Sequence, residues 1–88
     1  MLLVVDIGNT NITLGVFENE DLMATFRLTT KFPRTSDEYG INICNMLKHN
    51  GIDSKDIVGI VVASVVPNVM HSFNNAIVKY LGKQQTYI

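Results

Sequence analysis

The sequence predicts an α/β fold with one mixed sheet: an antiparallel three-strand meander, followed by helix, strand, helix and strand. Two apolar runs, Leu2–Val5 and Ile57–Ser64, have the composition of strands that are buried on both faces of a sheet. Residues 12–29 alternate with the period of strands, and two later segments repeat apolar residues at helical spacing. Together these observations favour strands alternating with helices over an all-helical or all-β chain.

The composition limits the classes of function. The chain has 88 residues, of which 47% are hydrophobic, and this is enough for one small core. A formal charge of -1 without a basic cluster argues against binding to DNA or RNA. The longest apolar runs fall far short of the roughly 20 residues that span a bilayer, so no membrane association is expected. Met1 leads straight into a strand and leaves no room for a signal peptide, so we expect a cytoplasmic protein.

The first strand ends in a carboxylate, Asp6, which we expect at the rim of the sheet with its charge partly desolvated. The turn Gly8–Asn11 follows, in which Gly and Asn tolerate positive φ, and the second strand covers Ile12–Phe17. This turn should present backbone N–H groups and a hydroxyl at the same rim as Asp6. Backbone donors in a concave turn attract phosphate oxygens, and a nearby carboxylate can hold hydrated Mg²⁺.

Two interpretations of this turn remain open. Asn and Gly in a hairpin need no function, so an ordinary turn explains them. A phosphate site is favoured by the absence of bulky residues, by Asp6, and by Gly15, which interrupts the second strand where a side chain would crowd a ligand. The turn is neither a P-loop, since no G-x-x-x-x-G-K-[ST] is present, nor a dinucleotide-binding fingerprint, since strand follows its glycine.

The third strand covers Leu22–Thr29, where the even positions are apolar. The charged segment Glu18–Asp21 precedes it and predicts a hairpin turn, so the first three strands form a meander. Thr30–Arg34 is a short connection. Its Lys31 and Arg34 could reach a phosphate, although a solvated loop is the simpler interpretation.

A helix begins after Thr35, which has the S/T-x-x-E spacing of a capping box with Glu38. Apolar residues then recur at helical spacing, and Gly51 suits the left-handed position that ends the helix. Asp37 and Glu38 are therefore interpreted as capping groups and not as a catalytic pair. Cys44, the only cysteine, excludes an internal disulfide, and we interpret it as a small buried core residue.

The run Ile57–Ser64 predicts a strand beside the first one. Pro67 opens a second helix, Gly82 ends it, and Gln84–Ile88 begins a fifth strand. Ser64 could line the same crevice as Asp6, because ligands of open α/β sheets collect beyond the carboxyl ends of the strands, but a serine before a helix explains it equally well. The chain stops without a turn, cap or tail, as we expect of a truncated domain.

Three segments carry a resemblance to a known family. Together they closely resemble the type III pantothenate kinases over the whole chain: Asp6–Gly15, Arg34–Gly40 and Ala63–Pro67. The order of elements is similar to the ribonuclease-H-like half-domain of the actin, Hsp70 and sugar-kinase superfamily. The resemblance implies that residues 1–88 are the N-terminal portion of the first such domain, with a second domain absent from this chain.

The resemblance also implies a nucleotide site. In that family the D-x-G-N-T-N segment is the first phosphate motif for ATP, and Asp6 is expected to hold its Mg²⁺. The residues that carry over as ATP-binding are Asp6, Ile7, Gly8, Asn9, Thr10, Asn11, Ile12 and Thr13. No catalytic residue is assigned, because the family's catalytic aspartate lies in a later G-A-D-R segment. Ligands of the monovalent cation, K⁺ or NH₄⁺, are likewise expected outside the chain.

The function implied by the resemblance is ATP-dependent phosphorylation of pantothenate, the first step of coenzyme A synthesis, by a homodimer. Two other classes stay open: another ATPase or sugar kinase of the superfamily, and a non-catalytic nucleotide-binding or transcriptional accessory relative. A G-A-D-R segment downstream would distinguish them. The 88-residue chain alone is expected to be inactive and to self-associate, because its last strand and its helices would offer uncovered surface.

Overall fold

A five-stranded mixed sheet carries two helices on one of its faces. The computed structural model describes residues 1–30, 33–63 and 66–87. The main elements are β1 (Leu2–Ile7), β2 (Asn11–Glu18), β3 (Asp21–Thr29), α1 (Ser36–His49), β4 (Gly59–Val62), α2 (Pro67–Ala76) and β5 (Thr86–Tyr87). The strand order is β3-β2-β1-β4-β5, with the first three strands antiparallel and β4 and β5 parallel to β1. The predicted fold class and element order are confirmed.

The two ends of α1 follow the predicted local rules. The Glu38 N–H donates to Thr35 Oγ1 at 3.1 Å, and the Thr35 N–H donates to Glu38 Oε1 at 3.0 Å, so the capping box is confirmed. At the other end Gly51 has a φ of 74°, and the Ile52 N–H donates to the Leu47 carbonyl at 2.9 Å. This is a Schellman motif, and it places the helix end where the sequence predicted it.

The second helix begins at Pro67, as predicted, and continues beyond Ala76 into a π-helical segment, Ile77–Leu81. Gly82 ends it with a φ of 66°, which confirms the predicted stop. Apolar residues at helical spacing predict a buried stripe on this helix, and all of them are buried except Tyr80, which is half-buried: Val69, Met70, Phe73, Ala76, Ile77, Tyr80 and Leu81. The wider π turn was not predicted, because its i to i+5 bonding has no signature in the apolar spacing.

The core lies between the helices and one face of the sheet. Along β1, the side chains of Leu3, Val5 and Ile7 are buried, whereas Leu2 and Asp6 are exposed. The expectation that β1 and β4 are covered on both faces is therefore wrong for the described residues. A β-branched run satisfies strand propensity whether one face or both faces are covered, so its composition could not distinguish the two cases.

The later strands are shorter than predicted. Gly59–Val62 replaces the expected Ile57–Ser64, although the Val58 N–H still donates to the Met1 carbonyl at 2.8 Å and the Ala63 N–H to the Val5 carbonyl at 2.7 Å. A 3₁₀ turn, Ser54–Asp56, ends just before this region and delays the start of β4. Ser64 and the last residue of the fifth predicted strand lie outside the described residues.

Two polar groups of α1 differ from their predicted roles. Cys44 is half-buried beside the core and not enclosed by it, and burial raises the pKa of its thiol. Asp37 links the two helices: its Oδ1 accepts from Lys79 Nζ at 2.8 Å and from the Tyr80 hydroxyl at 2.7 Å. The hydrogen bond from Lys79, followed by that from Tyr80, lowers the pKa of the Asp37 carboxyl.

Candidate phosphate-binding site

The turn between β1 and β2 is closed by its own backbone. The Gly8 N–H donates to the Asn11 carbonyl at 2.9 Å. A Cβ atom on Gly8 would lie 3.0 Å from that same oxygen, a tight contact that favours glycine here. The tolerance of Gly and Asn for positive φ is not used here, since no residue of Gly8–Asn11 has a positive φ. The turn is tight because of this contact and not because of a left-handed backbone.

Thr30, which directly follows β3, stabilises the turn between β1 and β2 through two hydrogen bonds. Its N–H donates to the Thr10 carbonyl at 2.8 Å, and its Oγ1 donates to the Gly8 carbonyl at 2.8 Å. The sequence interpretation missed Thr30 and treated it as part of a connection. The signal that could have found it is the register of the meander, because pairing Asn11 with Thr29 places the next residue beside the turn.

The outer side of the turn is rich in donors. Asn9 and Thr10 are exposed, and within residues 1–30, 33–63 and 66–87 no backbone acceptor lies against their N–H groups. The carbonyls of Gly8, Thr10 and Asn11 each already accept a hydrogen bond. A turn in which three carbonyls are engaged and two exposed amides are left without a backbone acceptor has the polarity of an anion site.

Asp6 lies beside the turn but not at the end of its strand. β1 continues for one more residue, to Ile7, and Asp6 pairs in register with Thr13 of β2. Its carboxylate is exposed on the open face of the sheet, so the expected position at the strand end and the expected partial desolvation are both wrong. Asp6 and Thr13 instead place a carboxylate and a hydroxyl side by side on that face.

The predicted ATP-binding residues fall into two groups. The side chains of Ile7 and Ile12 are 1% and 0% exposed and belong to the core, so only their backbone could contact a ligand. Gly8, Asn9, Thr10 and Asn11 form the turn itself, and Asp6 and Thr13 lie beside it on the open face. The structure thus brings together the polar members of the predicted set and turns the two isoleucines away.

A shallow groove runs from Asp6 along the open face of the sheet. Gly15 forms part of its wall, with Phe17 and Leu22 further along. A Cβ atom on Gly15 would lie 3.4 Å from Leu22 Cδ1 and 3.5 Å from Phe17 Cε1, which are ordinary contacts. Nothing within the described residues therefore requires glycine at this position.

Comparison with known proteins assigns the chain to a family. A family model described as type III pantothenate kinase matches residues 2–88. The chain belongs to the type III pantothenate kinase family. It is 51% identical over 82 residues to a type III pantothenate kinase of Agathobacter rectalis, which is 93% of this chain and 32% of that relative. It is 48% identical over 81 residues to one of Bifidobacterium longum, covering 92% of this chain and 32% of that protein.

The family assignment confirms the resemblance seen in the three sequence segments. The chain spans about a third of the length of the curated relatives that it matches. A solved structure, the ROK hexokinase from Thermus thermophilus, matches 99% of this chain and 34% of its own with a TM-score of 0.65. At 16% identity this likeness concerns the fold alone, and it agrees with the predicted sugar-kinase type of half-domain.

The remaining basic candidates from the sequence are Arg34 and Lys31. Arg34 lies in the loop before α1, as predicted, but it is half-buried, with its guanidinium 5.2 Å from the centroid of the Tyr39 ring, and so it is only partly solvated. Lys31 lies outside the described residues. Among the residues that the structure describes, no group of three or more His, Cys, Asp or Glu side chains could hold a metal, and neither helix is long and apolar enough to cross a membrane.

The Asp6 carboxylate is suited to bind the Mg²⁺ ion of a magnesium-triphosphate. Mg²⁺ keeps several waters and is usually held by one or two carboxylates together with phosphate oxygens. A single exposed carboxylate beside free amides meets that need without a cluster of protein ligands. The donor set is therefore suited to a metal that arrives with a nucleotide.

Replacing Gly15 with Val tests whether the open face serves a ligand. We expect this variant to bind ATP more weakly or to pack less well with neighbouring segments, although the hairpin itself should gain about 0.5–1 kcal/mol from the loss of glycine flexibility. Thermal unfolding and ATP titration measure the two effects separately. An unchanged ATP affinity together with a raised melting temperature would show that Gly15 has no such role.

Proposed function

We propose that the protein transfers the γ-phosphoryl group of ATP to pantothenate and forms 4′-phosphopantothenate, in the first step of coenzyme A synthesis. The observation that carries this proposal is the turn Gly8–Asn11 beside Asp6: three of its carbonyls accept hydrogen bonds, and the Asn9 and Thr10 amides have no backbone acceptor within the described residues. Membership of the family supports the choice of pantothenate as the phosphoryl acceptor, because the relatives are named for it.

Each part of the site receives a role in this proposal. The N–H groups of Asn9 and Thr10 and the Thr10 hydroxyl contact phosphate oxygens, and Asp6 holds the accompanying Mg²⁺, partly through its waters. Phosphoryl transfer depends mainly on positioning and on stabilisation of charge, which these groups supply. The general base is not assigned to this chain.

The domain arrangement belongs to the same proposal. Residues 1–88 form the N-terminal portion of a first ribonuclease-H-like domain, and further segments supply the base, the pantothenate contacts and the ligands of K⁺ or NH₄⁺. One support is that the chain matches only about a third of the length of its relatives. Another is that the open face exposes apolar residues that a further segment could cover: Leu2 is 38% and Leu22 is 53% exposed. We call this assembly the two-domain protein, and we propose that it is a cytoplasmic homodimer.

A comparison of the 88-residue chain with the two-domain protein tests the proposal. Both are incubated with ATP, Mg²⁺, K⁺ and pantothenate, and the product is identified by mass spectrometry. We expect 4′-phosphopantothenate only from the two-domain protein, because the chain alone provides one phosphate turn and no assigned base. Sugars replace pantothenate in a parallel assay, and phosphorylation of a sugar instead of pantothenate would contradict the proposed substrate.

The same comparison predicts the behaviour of the isolated chain. We expect weak ATP binding and self-association, because β5 leaves a sheet edge unpaired and the open face exposes apolar side chains. Light scattering gives the size of the species, and equilibrium titration gives its affinity for ATP. Phosphopantothenate formed by a monomer of the 88-residue chain would contradict both expectations.

A further inference from the structure

Thr30 is joined to the candidate phosphate turn at two points, although 22 residues separate it from Gly8. Its N–H donates to the Thr10 carbonyl at 2.8 Å, and its Oγ1 donates to the Gly8 carbonyl at 2.8 Å. We infer that Thr30 is a positioning residue of the ATP site, which turns these carbonyls away from the ligand so that the amides of the turn face it. This inference rests on the proposed function of the turn.

This role has an electrostatic reason, because a short turn exposes both carbonyl oxygens and amide N–H groups. A carbonyl oxygen directed at a triphosphate would repel it, whereas an amide N–H would attract it. Thr30 engages two carbonyls of the turn, and the Gly8 N–H engages a third, that of Asn11, at 2.9 Å. The Asn9 and Thr10 N–H groups have no backbone acceptor within the described ranges, so these two donors remain available to a ligand.

A substitution at Thr30 can remove the side-chain hydrogen bond to Gly8 and keep the backbone hydrogen bond to Thr10. Any residue except proline could supply the N–H bond to Thr10, but the bond to Gly8 requires a hydroxyl at this position. Thr30 and this hydrogen bond are partly buried, so a water molecule cannot readily replace the missing donor. Its place is fixed by the register that pairs Asn11 with Thr29 at the end of β3.

The test compares variants of Thr30 in the two-domain protein. Thr30→Val keeps the shape and strand propensity but removes the hydroxyl, and we expect it to raise both the KM and the Kd for ATP about 5- to 10-fold. The KM for pantothenate should stay unchanged, because the proposed pantothenate contacts lie in segments beyond residues 1–88. Thr30→Ser restores the donor and should return the ATP values to within about twofold of the parent. Thr29→Val is the matched control, since it removes a neighbouring exposed hydroxyl that bonds to no described residue.

Three outcomes would overturn the positioning role. One is an ATP KM within about twofold of the parent in Thr30→Val, and another is the same loss in Thr30→Ser as in Thr30→Val. The third is an equal rise in both KM values with a lowered melting temperature, which indicates general destabilisation. If Thr30→Val does not fold, Thr30→Ala and Thr30→Ser provide the same comparison. The variant Asp6→Asn separates this inference from the proposed function. If Asp6→Asn loses turnover while Thr30→Val keeps the kinetics of the parent, the role of Thr30 is wrong but the proposed function still stands.

Discussion

Asp6→Asn in the two-domain protein is expected to lower kcat about 100-fold or more while leaving folding almost unchanged. The carboxylate would hold Mg²⁺ against the triphosphate, and removing one group that stabilises transition-state charge typically has an effect of this size. Asp6 is exposed and forms no hydrogen bond or ion pair within the described part of the chain. The free energy of unfolding should therefore change by no more than about 0.5 kcal/mol.

Steady-state kinetics and thermal unfolding measure these two effects on the same preparation. Asp21→Asn is a suitable control, because Asp21 is also an exposed strand carboxylate but lies at the far end of the β2–β3 hairpin from the turn. We expect parental turnover in the control. Turnover of ATP by Asp6→Asn at the parental rate would show that this turn does not hold the metal-triphosphate.

Local interactions explain which parts of the fold the sequence could predict. The capping box joins Thr35 and Glu38 within one helical turn, and Gly51 and Gly82 end their helices through their own backbone conformation. The charged segment after β2 likewise closes a two-residue turn, with Asn19 at a φ of 57°. Each of these features depends on residues that are neighbours in sequence, so a short motif is enough to identify them.

The errors concern features that depend on what packs against a residue. Asp6 was expected at the end of the first strand, yet pairing with Thr13 keeps it inside β1 and on the open face. Ile7 and Ile12 stay in the predicted ATP-binding set only through their backbone, because alternation along the strands turns both side chains into the core. Thr30 escaped notice because its partner is distant in sequence and the strand register alone brings the two together.

The close contact between α1 and the π-helical segment Ile77–Leu81 was not predicted from the sequence. Gly40 lies in α1, where glycine is a poor helix former, and it is buried against the ring of Tyr80. A Cβ atom on Gly40 would lie 2.0 Å from Tyr80 Cδ1 and 2.5 Å from its Cγ. The ring cannot easily retreat, because its hydroxyl donates to Asp37 Oδ1 at 2.7 Å and the π-helical segment fixes its backbone.

Gly40→Ala should therefore destabilise the protein, although alanine is the better helix former. Helix propensity favours alanine by about 1 kcal/mol, whereas the overlap with the Tyr80 ring should cost more, as overpacking typically costs about 1–3 kcal/mol beyond what local shifts relieve. We expect a net loss of up to about 2 kcal/mol in the free energy of unfolding, measured by denaturant titration. Asn45→Ala is the control on the same helix, since Asn45 is exposed and its replacement should be neutral or slightly stabilising.

A double-mutant cycle with Tyr80→Ala identifies the cause of that loss. Once the ring is gone, the added methyl group meets no obstacle, and Gly40→Ala should become neutral or stabilise the fold by up to about 1 kcal/mol. The two substitutions are thus expected to be strongly non-additive, with a coupling larger than about 1 kcal/mol. An equal loss on Gly40→Ala with and without the Tyr80 ring would show that the ring is not the obstacle. The glycine would then be needed for a contact outside the pairing of α1 with the π-helical segment.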